Sequence, residues 1–287
     1  MSPLTLPQTT FIACDGAWEA AGTVLFGAPF DGTTSFRPGT RFGPSAVRLD
    51  SDGLETYSPY QDKDLEDYAI FDSGDLDLPF GDTEAVLKAI EDRTRTILEA
   101  GKRPFMIGGE HLVTLGSMRA VAQVYPAVEV LHFDAHADLR EDYLGVALSH
   151  ATVMRRVADL IGPDRLHQFG IRSGTREEFA FAKAHTDFHP FAVTAVAACA
   201  QALQGKPVYL SVDMDVLDPS IFPGTGTPEA GGISWRDLLG ALLQLRGLNI
   251  IGMDVNELSP HYDPSGVSTA VYGKTIREML LLVESNK

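Results

Sequence analysis

Cysteine is almost missing from this chain: Cys14 and Cys199 are the whole complement. From two distant thiols neither a disulfide framework nor a cysteine zinc site can be argued, and both read as free and reduced. Basic residues are also scarce. Lys and Arg number 23 against 39 Asp and Glu, giving a net charge of −16 and a pI near 4.8. No global field attracts phosphate backbones, so nucleic-acid binding is not expected, whereas a cationic ligand would be steered favourably. There is no apolar run of about 18 residues, and the start MSPLTLPQTTF has no basic segment followed by an apolar one. The expectation is a soluble, cytoplasmic chain with no membrane partner. Also missing are a Gly-x-Ser-x-Gly elbow, a phosphate-binding P-loop and a dinucleotide fingerprint, which removes the usual covalent-hydrolase and nucleotide classes.

What is present is ordinary globular material, 287 residues with 44% hydrophobic and 22% charged. Short apolar runs alternate with helix-like segments. Predicted strands are 23–27, 68–71, 104–107, 128–133, 167–171, 208–212 and 248–253. Predicted helices are 83–100, where Val86, Leu87, Ile90, Ile97 and Leu98 form a stripe, then 112–125, 151–161, 176–185, 193–203, 234–245 and 267–283. That alternation predicts an α/β fold, a three-layer α/β/α sandwich around a mostly parallel sheet. No linker or fixed-period repeat divides the chain, so residues 1–287 are expected to form a single domain. Two stretches, 30–44 and 219–232, are dense in Gly, Pro and Thr and read as long loops.

Four motifs fall at the carboxyl ends of predicted strands, where open parallel sheets place their ligands. HFDAHADLR carries Asp134, His136 and Asp138 two residues apart, a spacing that in extended backbone aims side chains the same way. Carboxylates and imidazole without thiolate suit a hard to borderline divalent metal such as manganese. SVDMDVLDP repeats the spacing with Asp213 and Asp215, which read equally as caps of the next turn. GGEH places His111 at a helix head, where a histidine alone is more often structural, and its glycines read as a sharp turn. GMDVNELSP carries Asp254 and Glu257, each readable as a site acid or as a cap or surface charge.

His111, Asp134, His136, Asp138, Asp213 and Asp215 are too many ligands for one ion with an open position, and suit two. Two ions about 3.5 to 4 Å apart can share a water and lower its pKa, delivering hydroxide to an electrophile without a covalent enzyme intermediate.

These motifs resemble, in kind, order and spacing over residues 23–283, the ureohydrolase family of arginases, agmatinases and relatives. SFRPGTRFGP (35–44), GLETYSPY (53–60), SHAT (149–152), FGIRSGTREEF (169–179) and PGTGTPEAGG (223–232) look like agmatinases of the Bacillus type. The resemblance implies an arginase-like fold and two Mn2+ ions per subunit. One would be held by His111, Asp134, Asp138 and Asp213, the other by Asp134, His136, Asp213 and Asp215. It further implies that Glu257 pairs with a substrate guanidinium and that His150 shuttles a proton at the mouth. Asp138 would relay a proton to the leaving amine, and the assembly would be a homo-oligomer, trimer or hexamer. Ala137 and Asn256 depart from the usual agmatinase pattern, and neither is a ligand.

Residues 139–150 follow the first metal motif and contain no asparagine but two acids, Glu141 and Asp142. Such a loop favours a substrate ending in an amine, as agmatine does, over the amino-acid end of arginine. Glu141 or Asp142 is a candidate for attracting that ammonium, the alternative being two solvent-facing loop acids. Arg140 keeps a carboxylate-bearing substrate such as guanidinobutyrate open, and aminopropylagmatine also remains. A metal-binding but inactive regulator is the reading from another class.

Overall fold

The structure is a computed structural model, described here for residues 2–284. Its strands are β1 (Thr23–Ala28), β2 (Tyr57–Ser58), β3 (Lys63–Asp64), β4 (Ile70–Asp75), β5 (Arg103–Gly108), β6 (Glu129–Phe133), β7 (Leu166–Phe169), β8 (Asp187–His189), β9 (Pro207–Asp213) and β10 (Asn249–Asn256). Its helices are α1 (Gly43–Asp50), α2 (Thr83–Glu99), α3 (Val113–Val124), α4 (Val153–Ile161), α5 (Arg176–His185), α6 (Val196–Ala202), α7 (Trp235–Leu243) and α8 (Val267–Val283). Apart from a small antiparallel β2–β3 hairpin, the strands form one sheet in the order β4-β1-β5-β10-β9-β6-β7-β8. Every pairing in that sheet is parallel.

Strand alternation sorts the core into layers. Leu25, Phe105, Leu131, Phe133, Leu210 and Val212 pack on the side that holds α6, α7 and α8. Their neighbours Val24, Phe26, Met106, Val130 and Tyr209 pack on the other side with α2, α3 and α4. The expected α/β/α sandwich is what the chain forms. A strand apolar on both faces reads as a continuous hydrophobic run, which is why the inner strands were legible.

Three elements were not foreseen. Helix α1 begins at Gly43 with Pro44 in its first turn, inside a stretch read as loop, because proline suits a helix start as well as a loop. Strand β8 is three half-buried residues, too short for a pattern. The β2–β3 hairpin has two residues on each side. Among the described residues, no helix is long and apolar enough to cross a membrane.

The sheet order positions the site. After β5 the chain skips past two positions to β6, and β9 and β10 later fill the gap. The carboxyl ends of β5, β10, β9 and β6, which carry the four motifs, are therefore consecutive neighbours at the middle of the sheet. This is the switch-point crevice where ligands of such sheets bind.

Candidate active site

The first motif converges by a different route from the one the spacing suggested. Strand β6 stops at Phe133, so strand alternation does not aim the three ligands. Instead Asp134 folds the loop over itself, its Oδ1 accepting from the His136 backbone N–H at 2.6 Å. Asp138 then takes a left-handed backbone, φ 53°. Short polar side chains that bond their own backbone favour both features. Asp213 does the same at the end of β9, where its Oδ1 accepts from the Asp215 N–H at 2.9 Å. Asp213 is thus both a turn cap and a site acid, and the two readings of SVDMD are compatible.

At the centre lies the His111 ring, 1% exposed. Its Nδ1 is 3.0 Å from Asp134 Oδ2 and 3.3 Å from both Asp138 Oδ2 and Asp213 Oδ2. A second group adjoins it: His136 Nδ1 is 3.0 Å from Asp215 Oδ2 and 3.5 Å from Asp134 Oδ1. Asp134 belongs to both. Asp215 is held by the Ala135 N–H at 3.1 Å and the Thr227 hydroxyl at 3.3 Å.

Electrostatics explain what this cluster requires. Burial, with the Asp215 and Asp134 charges beside it, pushes Asp213 well above the usual carboxylate range. Burial and Asp134 raise Asp138 to about 7. Burial, Asp215 and Glu110 raise Glu257 well above its ordinary value. Asp134 moves the other way: burial opposes its ionisation, but hydrogen bonds to His111, His132 and His136 outweigh it and hold the pKa low. A buried set of mutually repelling acids with two inward imidazole nitrogens and no thiolate fits hard to borderline divalent cations, which relieve the repulsion by coordination. The residues present therefore fit a metal centre.

Around the inner residues runs a shell that sequence reasoning missed. Ser211 Oγ donates to Asp254 Oδ1 at 2.7 Å, so its oxygen is left to accept from His111 Nε2, 2.9 Å away. Asp254 also accepts from Tyr209 and Asn256, which makes it a buried anchor and neither a surface charge nor a helix cap. On the other side His132 Nε2 lies 2.8 Å from Asp134 Oδ2, while its Nδ1 is 3.1 Å from Gln168 Nε2. Burial lowers the His132 pKa, so the ring is neutral and donates to Asp134. Each of these bonds holds an inner side chain from behind and fixes its orientation toward the centre. Alternation was the available signal, since Ser211 and His132 stand two residues before Asp213 and Asp134.

Glu110 was overlooked inside a motif already singled out. It is fully buried, with burial raising its pKa to about 7 against the opposing hydrogen bonds from Thr33 and Thr34. Thr33 donates to it through both its backbone N–H, at 2.8 Å, and its hydroxyl, and that hydroxyl oxygen accepts from the His150 N–H at 3.0 Å. The glycines of GGEH serve close approach and not a sharp turn. A Cβ on Gly109 would sit 2.0 Å from the Phe30 carbonyl oxygen.

Glu257 projects from the end of β10 with a left-handed backbone, φ 69°. Its N–H donates to Gly109 O at 2.9 Å and its Oε1 accepts from the His111 N–H at 2.9 Å. Gly226 in the 219–232 loop comes so near that a Cβ there would lie 3.1 Å from Oε2. A cavity of about 260 Å3 opens over His136 and Asp138 and is also lined by His150, Arg140, Tyr143 and Glu178. His150 sits in the turn before α4, with Nε2 2.9 Å from Ser35 Oγ, and burial with the His136 and His111 charges lowers its pKa to about 4.

Glu141 and Asp142 are not brought to this cavity. The Glu141 carboxylate pairs with Arg155 and Arg156, and Asp142 closes its own turn by accepting from the Gly145 N–H at 2.9 Å. Arg140 lines the cavity but is 3.4 Å from Glu178 Oε2 and stacked over Tyr143.

The profile of the arginase family matches residues 21–282. The chain belongs to that family. It is a ureohydrolase, and similar chains include the agmatinases of Bacillus anthracis, 46% identical, and Bacillus subtilis (strain 168), 47% identical. Each is aligned over 275 residues, which is 94% of this chain and 95% of theirs. Among solved structures, the agmatine ureohydrolase of Thermoplasma volcanium superposes with a TM-score of 0.87 at 33% identity, covering 96% of this chain and 94% of that one. This ureohydrolase thus resembles its relatives end to end, with each of the four motif-bearing strands inside the matched span.

Proposed function

We propose that this ureohydrolase is an agmatinase, hydrolysing agmatine to putrescine and urea with two Mn2+ ions held by His111, Asp134, His136, Asp138, Asp213 and Asp215. The observation that carries the reading is the meeting of those six side chains and Glu257 at four neighbouring strand ends beside one small cavity. When bound there, the two ions supply Lewis-acid chemistry, acidifying a water and drawing negative charge at the attacked carbon.

The chain's own residues do the rest. Glu257 has one oxygen committed to the His111 N–H. Its other oxygen is free to take a guanidinium N–H and fix the planar group face-on to attack. A cationic guanidinium would also restore the charge that burial discourages on Glu257. Asp138, which lines the cavity, would take a proton on its carboxylate and return it to the departing amine. His150, at the mouth of the cavity beside Ser35, is placed to pass protons between the site and solvent. Agmatine suits the cavity better than a carboxylate-bearing substrate, because Glu178 already partners Arg140. The same reading includes one domain over 1–287, a homo-oligomer and a cytoplasmic location.

Urea release from agmatine, arginine, guanidinobutyrate and aminopropylagmatine, with and without Mn2+, tests it. Agmatine with Mn2+ should give the highest kcat/KM. Arginine or guanidinobutyrate exceeding agmatine would overturn the substrate assignment, and no urea from any of them would overturn the activity.

A further inference from the structure

A second cluster of ligand-type side chains lies on the outer strands of the sheet, apart from the crevice. His167 near the amino end of β7, Asp187 at the start of β8 and Cys199 on α6 bring an imidazole nitrogen, a carboxylate oxygen and a sulfur within 4.8 Å of one another. Asp187 Oδ2 is 2.8 Å from His167 Nδ1, and Glu129 Oε2 is 2.9 Å from His167 Nε2. His189 Nε2 reaches the other Asp187 oxygen at 2.8 Å.

An ion-paired histidine clipping the edge strand to the sheet accounts for His167, Asp187 and Glu129. It does not account for a thiol and a second imidazole arriving at the same carboxylate. We propose that this cluster is a separate binding site for a thiophilic, borderline divalent cation of the zinc class, with Cys199, His167 and Asp187 as ligands.

Three arguments support it. The donor set is sulfur, nitrogen and oxygen, the mixture zinc accepts, whereas the active-site set contains no sulfur and suits manganese. The spacing is close. Around a tetrahedral ion with bonds of about 2.0 to 2.3 Å, ligand atoms stand roughly 3.3 to 3.8 Å apart, so small side-chain rotations suffice from the observed separation. The second shell is also in place. His167 Nδ1 faces its fellow ligand Asp187, so the ion would bind there while Nε2 stays hydrogen-bonded to Glu129, as zinc-ligating imidazoles usually are. Lys206 Nζ, 2.7 Å from Glu129 Oε1, fixes the Glu129 side of that shell. Ions can enter from solvent, because the Asp187 and His189 side chains are 40% and 32% exposed. Binding would release the thiol proton and the proton shared between His167 and its carboxylates.

Cobalt is the probe, since only a cysteine ligand gives the near-ultraviolet thiolate-to-cobalt charge-transfer band, and oxygen and nitrogen sites do not. The Mn2+-loaded full chain would be titrated anaerobically with Co2+, and Zn2+ affinity measured by competition with a chromophoric chelator. The expected result is a charge-transfer band saturating at one Co2+ per chain. It should be absent in Cys199→Ser and retained in Cys14→Ser, with chelatable Zn2+ affinity falling at least tenfold in Cys199→Ser and Asp187→Asn. Agmatine hydrolysis should be unchanged in Cys199→Ser, because Cys199 touches nothing in the crevice. No charge-transfer band in the wild type, or a band that survives in Cys199→Ser, would overturn the site. If Cys199→Ser does not fold, the exposed Asp187→Asn decides by the same affinity measurement, with unchanged affinity refuting the proposal.

Discussion

Replacing Ser211 with alanine isolates a single link between the sheet and the proposed metal centre. The Ser211 hydroxyl spends its one proton on Asp254, and its oxygen is the acceptor for His111 Nε2–H. With a metal at Nδ1, that bond would hold His111 as the Nε2–H tautomer and keep Nδ1 turned toward Asp134, Asp138 and Asp213. In Ser211→Ala the buried Nε2–H has no acceptor, which costs about 1 to 3 kcal/mol. Asp254 keeps Tyr209 and Asn256, so its loss is the smaller share. A total near 2 kcal/mol lowers the Tm of a chain this size by roughly 3 °C. The tautomer and the ring angle are also released, and loss of a second-shell partner typically weakens metal affinity about 10- to 100-fold. The assay is urea release from agmatine as a function of free Mn2+, with thermal melts alongside. The half-saturating Mn2+ concentration should rise by that factor while kcat at saturating Mn2+ is largely kept. A fall in Tm with half-saturation unchanged to within about twofold would show that Ser211 only packs the sheet, and the second-shell argument would be lost.

Other outcomes follow from the same geometry. Gly109→Ala drives a Cβ to 2.0 Å from the Phe30 carbonyl oxygen, so it should cost about 3 kcal/mol or more and sharply reduce soluble yield. Gly53→Ala, with nothing within 4 Å of its Cβ, is the neutral control, and equal behaviour of the two in thermal melts would refute the close-approach reading. Exhaustive chelation should abolish urea release and lower Tm, and Mn2+ at a hundred times its Kd should restore about 2.7 kcal/mol for each of the two proposed ions; activity that survives chelation would exclude a metal role. Glu141→Gln should leave kcat/KM for agmatine within about twofold, since its carboxylate is tied to Arg155 and Arg156, whereas a tenfold loss, about 1.4 kcal/mol, would put that carboxylate on the substrate.

The inner residues of the site were legible because ligand chemistry restricts residue type strongly and strand ends restrict position. His111, Asp134, His136, Asp138, Asp213 and Asp215 meet as the motifs implied, although Asp134 and Asp138 do so through turn chemistry and not strand alternation. The shell was less legible because its residues are chemically ordinary. Ser211 and Gln168 look like any polar residues in a strand, and only the three-dimensional pairing of β6 with β9 and β7 shows what they hold. Glu110 was hidden by its neighbours, since the glycines and the histidine of GGEH drew the reading. Its partners Thr33 and Thr34 lie in a loop whose path cannot be read from sequence. The fold was legible wherever strands were buried on both faces, and illegible at β8 and α1, where length or a proline removed the pattern.

Two site residues carry backbone that the fold alone would not choose. Asp138 and Glu257 adopt φ of 53° and 69°, a region that an Asp enters readily and a Glu seldom does, so the strain falls on Glu257. Such a conformation costs on the order of 1 kcal/mol or more, and persists only where the surroundings over-determine it. At Glu257 they do: its N–H is held by Gly109 O while its carboxylate is held by the His111 N–H, a two-way clasp between the ends of β10 and β5. At Asp138 the backbone carbonyl accepts from the Arg155 N–H in α4, and the carboxylate is drawn inward to His111. Glycine would relieve the Glu257 backbone and leave no carboxylate. At Glu257 a strained acid is retained where a relaxed glycine would fit, and that position is the one proposed to orient the guanidinium. The hydrogen bonds that grip Glu257 through both its N–H and its carboxylate are what keep that acid from relaxing away.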